Sequence, residues 1–451
     1  MNENKMGTVP VNKLLISMAT PMVLSMLVGA LYNVVDSLFV SHYGENALSA
    51  VSLAFPIQNI IIATGTGVGV GINALLSRYL GQKEQKAVNQ TALHGILLGI
   101  VFYVIICFFG LFCVRKFYLI QTPDAEIVSM GVDYLTIICV FGFGQLFQLI
   151  FEKILQSTGR TSYTMVMQIV GAILNIILDP IFIFGYFGLP AMGTKGAAIA
   201  TVIGQIVAML LGVYFNLTKN KDVQFGLKDF QLNGSYIKAI CEVGIPTIIM
   251  QSMSSIMCFG INKLLLAFST TATAVFGAYF KLQTFVYMAI FGLNNALISI
   301  VAFNVGARRG ERVKKVIRLC GLYSALIGLI GTLIMGLFPV QLINAFAPSE
   351  EMFALGVPAL RILALSFVFG GISVMSSYAL QGFSKGVPSL IISAARQVIV
   401  LLPLAYVLGN AIGIYGIWWS FLISETVTVA FAILYLAYAE KKELERISSA
   451  R

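Results

Sequence analysis

The sequence predicts an all-α polytopic membrane protein: twelve transmembrane helices in two parallel six-helix bundles around a central cleft. Three observations carry that prediction. First, the 451 residues are 58% hydrophobic and only 11% Asp, Glu, Lys or Arg, with a mean hydropathy of +0.89. Soluble domains carry about 25% charged residues, so a chain this long lacks the polar cover for a water-facing surface. Second, twelve apolar runs succeed one another. Third, identical residues recur 225 positions apart. An ordinary soluble enzyme, a secreted disulfide scaffold, a disordered chain and a coiled coil fit poorly.

A helix needs about 20 mostly apolar residues to cross the roughly 30 Å hydrocarbon core. The runs lie near 14–40, 50–76, 92–114, 128–151, 162–187, 194–217, 239–267, 273–303, 317–340, 353–380, 388–409 and 412–438. Several exceed 25 residues, which implies tilt, kinks or extension beyond the lipid. Only Asn410 and Ala411 separate the last two. Polar Met1–Gly7 precedes the first run and no Ala-x-Ala site follows, so that run is expected to be a true span, not a cleaved signal.

Basic residues sort by side. With the N-terminus inside, 22 of the 29 Lys and Arg fall in or beside inner loops and tails, among them Lys83, Lys86, Lys228, Lys238, Arg308, Arg309, Arg312 and Arg451. The outer loops hold only Arg115, Lys116 and Lys195. This asymmetry predicts a bacterial cytoplasmic membrane protein with both termini cytoplasmic. It also accounts for the net charge of +10 without a nucleic-acid partner. The six cysteines form no C-x-x-C pair and read as small buried hydrophobes, and two histidines cannot build a multi-His metal site.

The repeat pairs Pro21 with Pro246, Phe55 with Phe280, Gln58 with Gln283, Gly81 with Gly306, Val88 with Val313, and Gln156 with Gln381. Six crossings return the chain to its starting side, so the halves are expected to be parallel repeats. The domains are then a lobe over 1–217, a cytoplasmic linker over 218–238 containing Lys228 and Asp229, a second lobe over 239–440, and a tail over 441–451. Such an architecture suits rocking of two halves around a cleft. Pro21 and Pro246, each inside the first helix of its half, remove a hydrogen bond and favour a kink, which makes them candidates for gating. Gly65, Gly67, Gly69 and Gly71 permit close helix packing and are no nucleotide loop, since no strand precedes them and no Lys-Ser/Thr follows.

Two acidic residues sit inside the spans: Asp36 toward the outer end of the first, and Asp179 in the fifth. Asn175 lies four residues before Asp179 and shares its helix face. A lone carboxylate in hydrocarbon costs several kcal/mol, so each needs a cavity, a partner or a proton. Two facing one half-cavity would be coupled, a physical basis for a proton-driven step. Tyr134 can donate to a carboxylate. Asn33, Gln58, Gln156 and Gln283 offer polar lining, and Met253, Met257, Tyr279 and Tyr287 an adaptable apolar one. Glu425 and Arg396, deep in the last two spans, are placed to pair; Glu152 with Lys153 reads as an ion pair or gate. His94 lies near the inner end of the third span, and Asp124, Glu126, Glu350 and Glu351 read as helix starts.

Pro21-x14-Asp36, Phe55-Pro56 with Gly81-Gln82, Gln156-Ser157-x-Gly159-Arg160, Asn175-x3-Asp179-Pro180 and Gln381-Gly382 together carry a resemblance. Over residues 12–440 the chain resembles the MATE multidrug and toxin extrusion transporters, in the bacterial MepA-like branch and DinF-like rather than NorM-like. The resemblance implies secondary active efflux of amphipathic, mainly cationic compounds in exchange for H⁺ (preferred) or Na⁺. It implies a first-half coupling site of Asp36, Asn175 and Asp179, with Tyr134 and Thr201 nearby; a coupling Na⁺ would use the first three. It implies no cofactor and no structural metal, and one chain with both halves should work as a monomer. Relatives with a second-half site use acids in the seventh and tenth spans. Here the seventh offers Gln251, Ser252, Ser254 and Ser255, and the tenth Ser366, Ser373, Ser376 and Ser377. Coupling is therefore placed in the first half. The competing expectation is a flippase or exporter of a lipid-linked or anionic cargo, which would use Lys263, Lys281, Arg361 and Arg396.

Overall fold

The computed structural model describes residues 4–226 and 230–449; Lys228 and Asp229 of the expected linker and Arg451 of the tail lie outside the described residues. Ten helices are long and apolar enough to cross a bilayer, and two bent pairs supply two further spans. In chain order they are α1 (Val11–Tyr43), α2 (Glu45–Gln82), α3 (Gln85–Phe112), α4 (Ala125–Val140 with Phe143–Ser157), α5 (Thr161–Phe184), α6 (Thr194–Thr218), α7 (Gly234–Leu266), α8 (Thr270–Gly306), α9 (Gly310–Leu337), α10 (Glu350–Ala364 with Phe367–Gly382), α11 (Gly386–Ile412) and α12 (Ile414–Ser449). The fold is all-α and polytopic, and each apolar run of the sequence becomes one span.

The differences have local causes. The fourth run does not stop at 151: α4 bends by 41° and continues to Ser157. At the bend Gly142 N–H bonds the Cys139 carbonyl at 3.2 Å, a tightened turn, and an added Cβ there would stand 2.9 Å from the Ile138 oxygen. α10 bends by 46°. The boundary between the last two spans is Gly413, not Asn410–Ala411; its φ of 72° is left-handed, where a glycine carries no Cβ penalty.

The repeat extends to helix ends. α3 and α9 begin at 85 and 310 and end at 112 and 337, each pair 225 apart. α4 and α10 begin after Asp124 and Ser349, side chains that cap the first turn. Asn46 donates to Glu126 at 2.7 Å, and its counterpart Thr271 donates to Glu351 at 3.0 Å. Lys83 and Arg308, again 225 apart, take left-handed φ of 62° and 57° in matching turns.

By packing, the chain forms two compact units: Leu24–Ile248, and Met1–Val23 with Ile249–Arg451. The break points 23/24 and 248/249 are 225 residues apart, and Pro21 and Pro246 each precede one by two residues. Thus the first part of α1 packs with the C-terminal helices, and the first part of α7 packs with the N-terminal ones. We call the units N-terminal and C-terminal after the bulk of their helices. At the centre of each lies one helix: the most apolar stretches of α2 and α8 are 83% and 67% buried, while those of the other eight single helices are 22–44% buried. The α2 glycines explain how a helix can be so enclosed. A Cβ on Gly65 or Gly69 would stand 2.8 Å from Leu149 or 2.5 Å from Lys153 of α4, and Gly67 and Gly71 lie against Ile248 and the Ile240 carbonyl of α7.

In the C-terminal unit, the N-terminal turn Lys5–Thr8 is clamped to the α8–α9 turn. Arg312 donates to the carbonyls of Met6 (3.0 Å) and Val9 (2.7 Å), and Arg309 to that of Gly7. Cys139 and Cys320 are buried and the other four cysteines half-buried; all six are free thiols.

Candidate functional site

The site lies within the N-terminal unit. α5 and α6 approach closely because Gly171 faces Gly204: a Cβ on Gly204 would stand 2.8 Å from the Gly171 oxygen. That contact brings Asn175 of α5 against Thr201 of α6. One turn further, Asp179 lies on the same face, and Pro180 after it cannot supply an N–H to the Ile176 carbonyl. Asp36 meets this face from α1.

Asp179 and Asn175 are buried and Asp36 half-buried. The Asp36 and Asp179 carboxyls are within hydrogen-bonding reach of each other. Asn175 Nδ2 is shared between Asp179 Oδ1 (3.3 Å) and Thr201 Oγ1 (3.2 Å). Gln58 of α2 donates to the Tyr134 hydroxyl at 2.7 Å. Three buried oxygens have no donor: Asp36 Oδ1, Asp179 Oδ2 and Asn175 Oδ1. Two carboxylates in contact repel when both are charged. A proton shared between them, or a small hard cation held by the three oxygens, removes that repulsion and satisfies the acceptors. The donor set fits either. Among the described residues no three His, Cys, Asp or Glu side chains gather anywhere, so this is a two-acid site.

The structure brings Asp36, Asp179, Asn175 and Thr201 into one group and ties Gln58 to Tyr134. It adds Tyr32, which the sequence reading passed over. The Tyr32 hydroxyl hydrogen-bonds Thr201, and Tyr32 stands one turn before Asp36, a spacing that could have marked it. Asn33 instead faces outward and donates to Gly29 at 3.0 Å. Gln156, at the far end of α4, belongs to another cluster. It donates to Glu152 Oε1 at 2.8 Å while Gln168 donates to Oε2 at 3.0 Å, with buried Lys153 adjacent in sequence. His94 is buried, its Nδ1 2.7 Å from the Gln90 carbonyl and its Nε2 accepting the Asn233 N–H at 3.0 Å.

In the C-terminal unit, Met257 and Tyr279 are buried in the apolar cluster, while Met253, Gln283 and Tyr287 are half-buried. Pro21 and Pro246 are buried within helical segments. Arg396 and Glu425 do pair, at 3.2 Å.

A twelve-span bundle with an internal repeat and a buried acid pair defines a class: an ion-coupled membrane transporter. Comparison with known proteins gives the particular family. The MatE family model matches residues 21–181 and 246–407, two segments whose first residues are again 225 apart. The chain belongs to the MatE family, and it is a secondary active transporter working by alternating access. It is 25% identical over 417 residues to the multidrug export protein MepA of Staphylococcus saprophyticus, covering 92% of this chain and 91% of that one. Among solved structures it is similar to an outward-facing multidrug resistance MATE transporter of the MOP superfamily (TM-score 0.93, 25% identity, 99% of both chains). It is likewise similar to a MOP-superfamily transporter from Pyrococcus furiosus whose binding pocket has reversed polarity, suggesting a different function (TM-score 0.92, 26% identity, 98% and 99% covered).

Proposed function

We propose that the protein is a multidrug exporter that exchanges protons, in preference to sodium, for amphipathic and mainly cationic organic compounds. Asp36 and Asp179 carry the coupling, with Asn175, Tyr134 and Thr201 as partners. The observation behind this reading is the contact between the two carboxyls, with three donorless acceptor oxygens around it. When the pair takes up a proton it loses its repulsion; when it releases one, it can attract a cation. One site then alternates between two positively charged ligands, which is antiport in chemical terms. The multidrug identity of the staphylococcal relative supports the cargo class. Pro21 and Pro246 act as bends during gating, supported by their position two residues before each crossing of α1 and α7 between the units. Asn33, Gln58, Gln156, Met253, Met257, Tyr279, Gln283 and Tyr287 remain the proposed cleft lining. One chain with both halves transports as a monomer, in a bacterial cytoplasmic membrane, with both termini cytoplasmic as the basic residues suggest.

The test is ethidium transport by purified protein in proteoliposomes, under a pH gradient without sodium and then a sodium gradient at constant pH. Transport under the first alone supports proton coupling. Transport under the second alone keeps the site and changes the ion. No transport under either, together with movement of an anionic or lipid-linked cargo, overturns the proposal.

A further inference from the structure

The C-terminal unit holds a charged cluster of its own. Five residues of α11, Ala395–Ile399, form a π-helical turn, and Arg396 lies on it. Such turns insert an extra residue into the helix ladder and occur often at functional sites. Here the turn is tied from two sides. Ser424 of α12 donates to the Arg396 carbonyl at 3.1 Å, and Ser254 of α7 donates to Gln397 Oε1 at 2.8 Å. The guanidinium donates to Glu425 Oε1 at 3.2 Å and lies 5.6 Å from the centroid of the Tyr287 ring. Both charged side chains are only 11% exposed.

A purely structural tie leaves two features unexplained. A buried ion pair contributes little stability unless its remaining hydrogen-bonding capacity is met. Glu425 Oε2 is buried and has no donor. Beside it runs an aromatic wall: Tyr287 to Phe291 at 5.9 Å between ring centroids, and Phe291 to Tyr378 at 6.2 Å. All three rings are half-buried, so they keep accessible surface. A carboxylate oxygen free to accept, next to open aromatic faces, is the chemistry that recognises an organic cation.

We propose that Glu425, held by Arg396 and walled by Tyr287, Phe291 and Tyr378, is a binding subsite for the amino or amidinium group of an aromatic organic cation. Arg396 is the resident counter-charge. It keeps Glu425 ionised and oriented when no ligand is present, and shares it when the ligand donates to Oε2. The inference rests on the export reading above and adds to it a cargo contact in the C-terminal unit, separate from the coupling acids.

The test is equilibrium binding in lipid nanodiscs of the full-length protein, with protein-free nanodiscs subtracted. Ethidium is the cationic aromatic probe and N-phenyl-1-naphthylamine the neutral one. The Arg396→Gln/Glu425→Gln double variant removes both charges while keeping a hydrogen-bonding pair. Its ethidium affinity should fall about tenfold, with the neutral probe unchanged. If it does not fold, Glu425→Asp, which retracts the carboxylate by one methylene, should lose about threefold for ethidium alone. Wild-type ethidium affinity in the variants overturns the subsite, and so does equal loss for both probes, which would mark the pair as a structural tie. Wild-type protein that binds ethidium through Glu425 but transports nothing under either gradient overturns the export reading and leaves the subsite standing.

Discussion

Replacing Asp179 by Asn should separate transport from folding. Asp179 is fully buried, with one oxygen accepting a long 3.3 Å bond from Asn175 and the other without a donor beside Asp36. An Asn of the same size can keep the first contact through its oxygen and donate its amide to Asp36. A repulsive pair becomes a hydrogen-bonded one, and a neutral hydrogen bond contributes about 1 kcal/mol. Protein level and thermal stability should therefore be equal to wild type or slightly higher. Transport should respond differently. One pH unit across the membrane is worth about 1.4 kcal/mol per proton, which supports about a tenfold cargo gradient for each proton exchanged. The variant has lost one of two carboxyls and the charge change that couples them, so its steady-state gradient should collapse toward onefold. The assay is ethidium accumulation by proteoliposomes under an imposed pH step, with protein orientation and content matched. Asp36→Asn should behave the same way. If both variants at normal protein level build the wild-type gradient, the acid pair is not the coupling site.

Other expectations concern the scaffold. Gly71→Leu should force α2 away from the Ile240 carbonyl, costing about 1–3 kcal/mol; a smaller monodisperse peak in size-exclusion chromatography is expected, and wild-type yield and melting would refute it. Arg312→Ala removes donors to two N-terminal carbonyls and to Asn304. Limited proteolysis should then cut near residues 6–9 at least several-fold faster, at about 1 kcal/mol per lost bond, and an unchanged rate would show that the clamp does not hold the segment. His94→Phe keeps the stacking with Phe230 and Tyr236 but leaves the Asn233 N–H without its acceptor. Amide exchange at Asn233 should rise about tenfold or less, and full protection would exclude the bond.

Much of this molecule was legible because each residue acts through its own helix. Twelve apolar runs, acids where hydrocarbon forbids them, and Asn175 four residues before Asp179 are local patterns. The pairing of Arg396 with Glu425 was also readable, since few charges lie so deep in adjacent spans. What escaped depends on contacts remote in sequence. Gln156 resembles Gln58 in type and in its repeat partner, yet one bonds Glu152 and the other Tyr134. The bends in α4 and α10 fall at Gly142 and at Ser366, residues that many straight helices also contain. The exchange of the first parts of α1 and α7 between units leaves no trace in hydropathy, because both parts remain apolar wherever they pack.

The repeat also explains why the chemistry is divided. Shifted by 225 residues, Asp36, Asn175 and Asp179 fall on Ile261, Val400 and Leu404, and Arg396 and Glu425 fall on Gly171 and Ala200. Each half is apolar or minimal where the other is charged. Gly171 shows that this is more than missing charge: its lack of a side chain lets α5 approach α6 and set Asn175 against Thr201. An arginine there would abolish the contact that builds the acid site. Conversely, the π turn that carries Arg396 displaces the helix ladder just before Val400, the position matching Asn175. Neither half could hold both arrangements, since each requires a different backbone at the same register. Two copies of one fold let the protein keep an acid pair in one and a counter-ion cluster in the other, with the cost of each burial carried by a separate core.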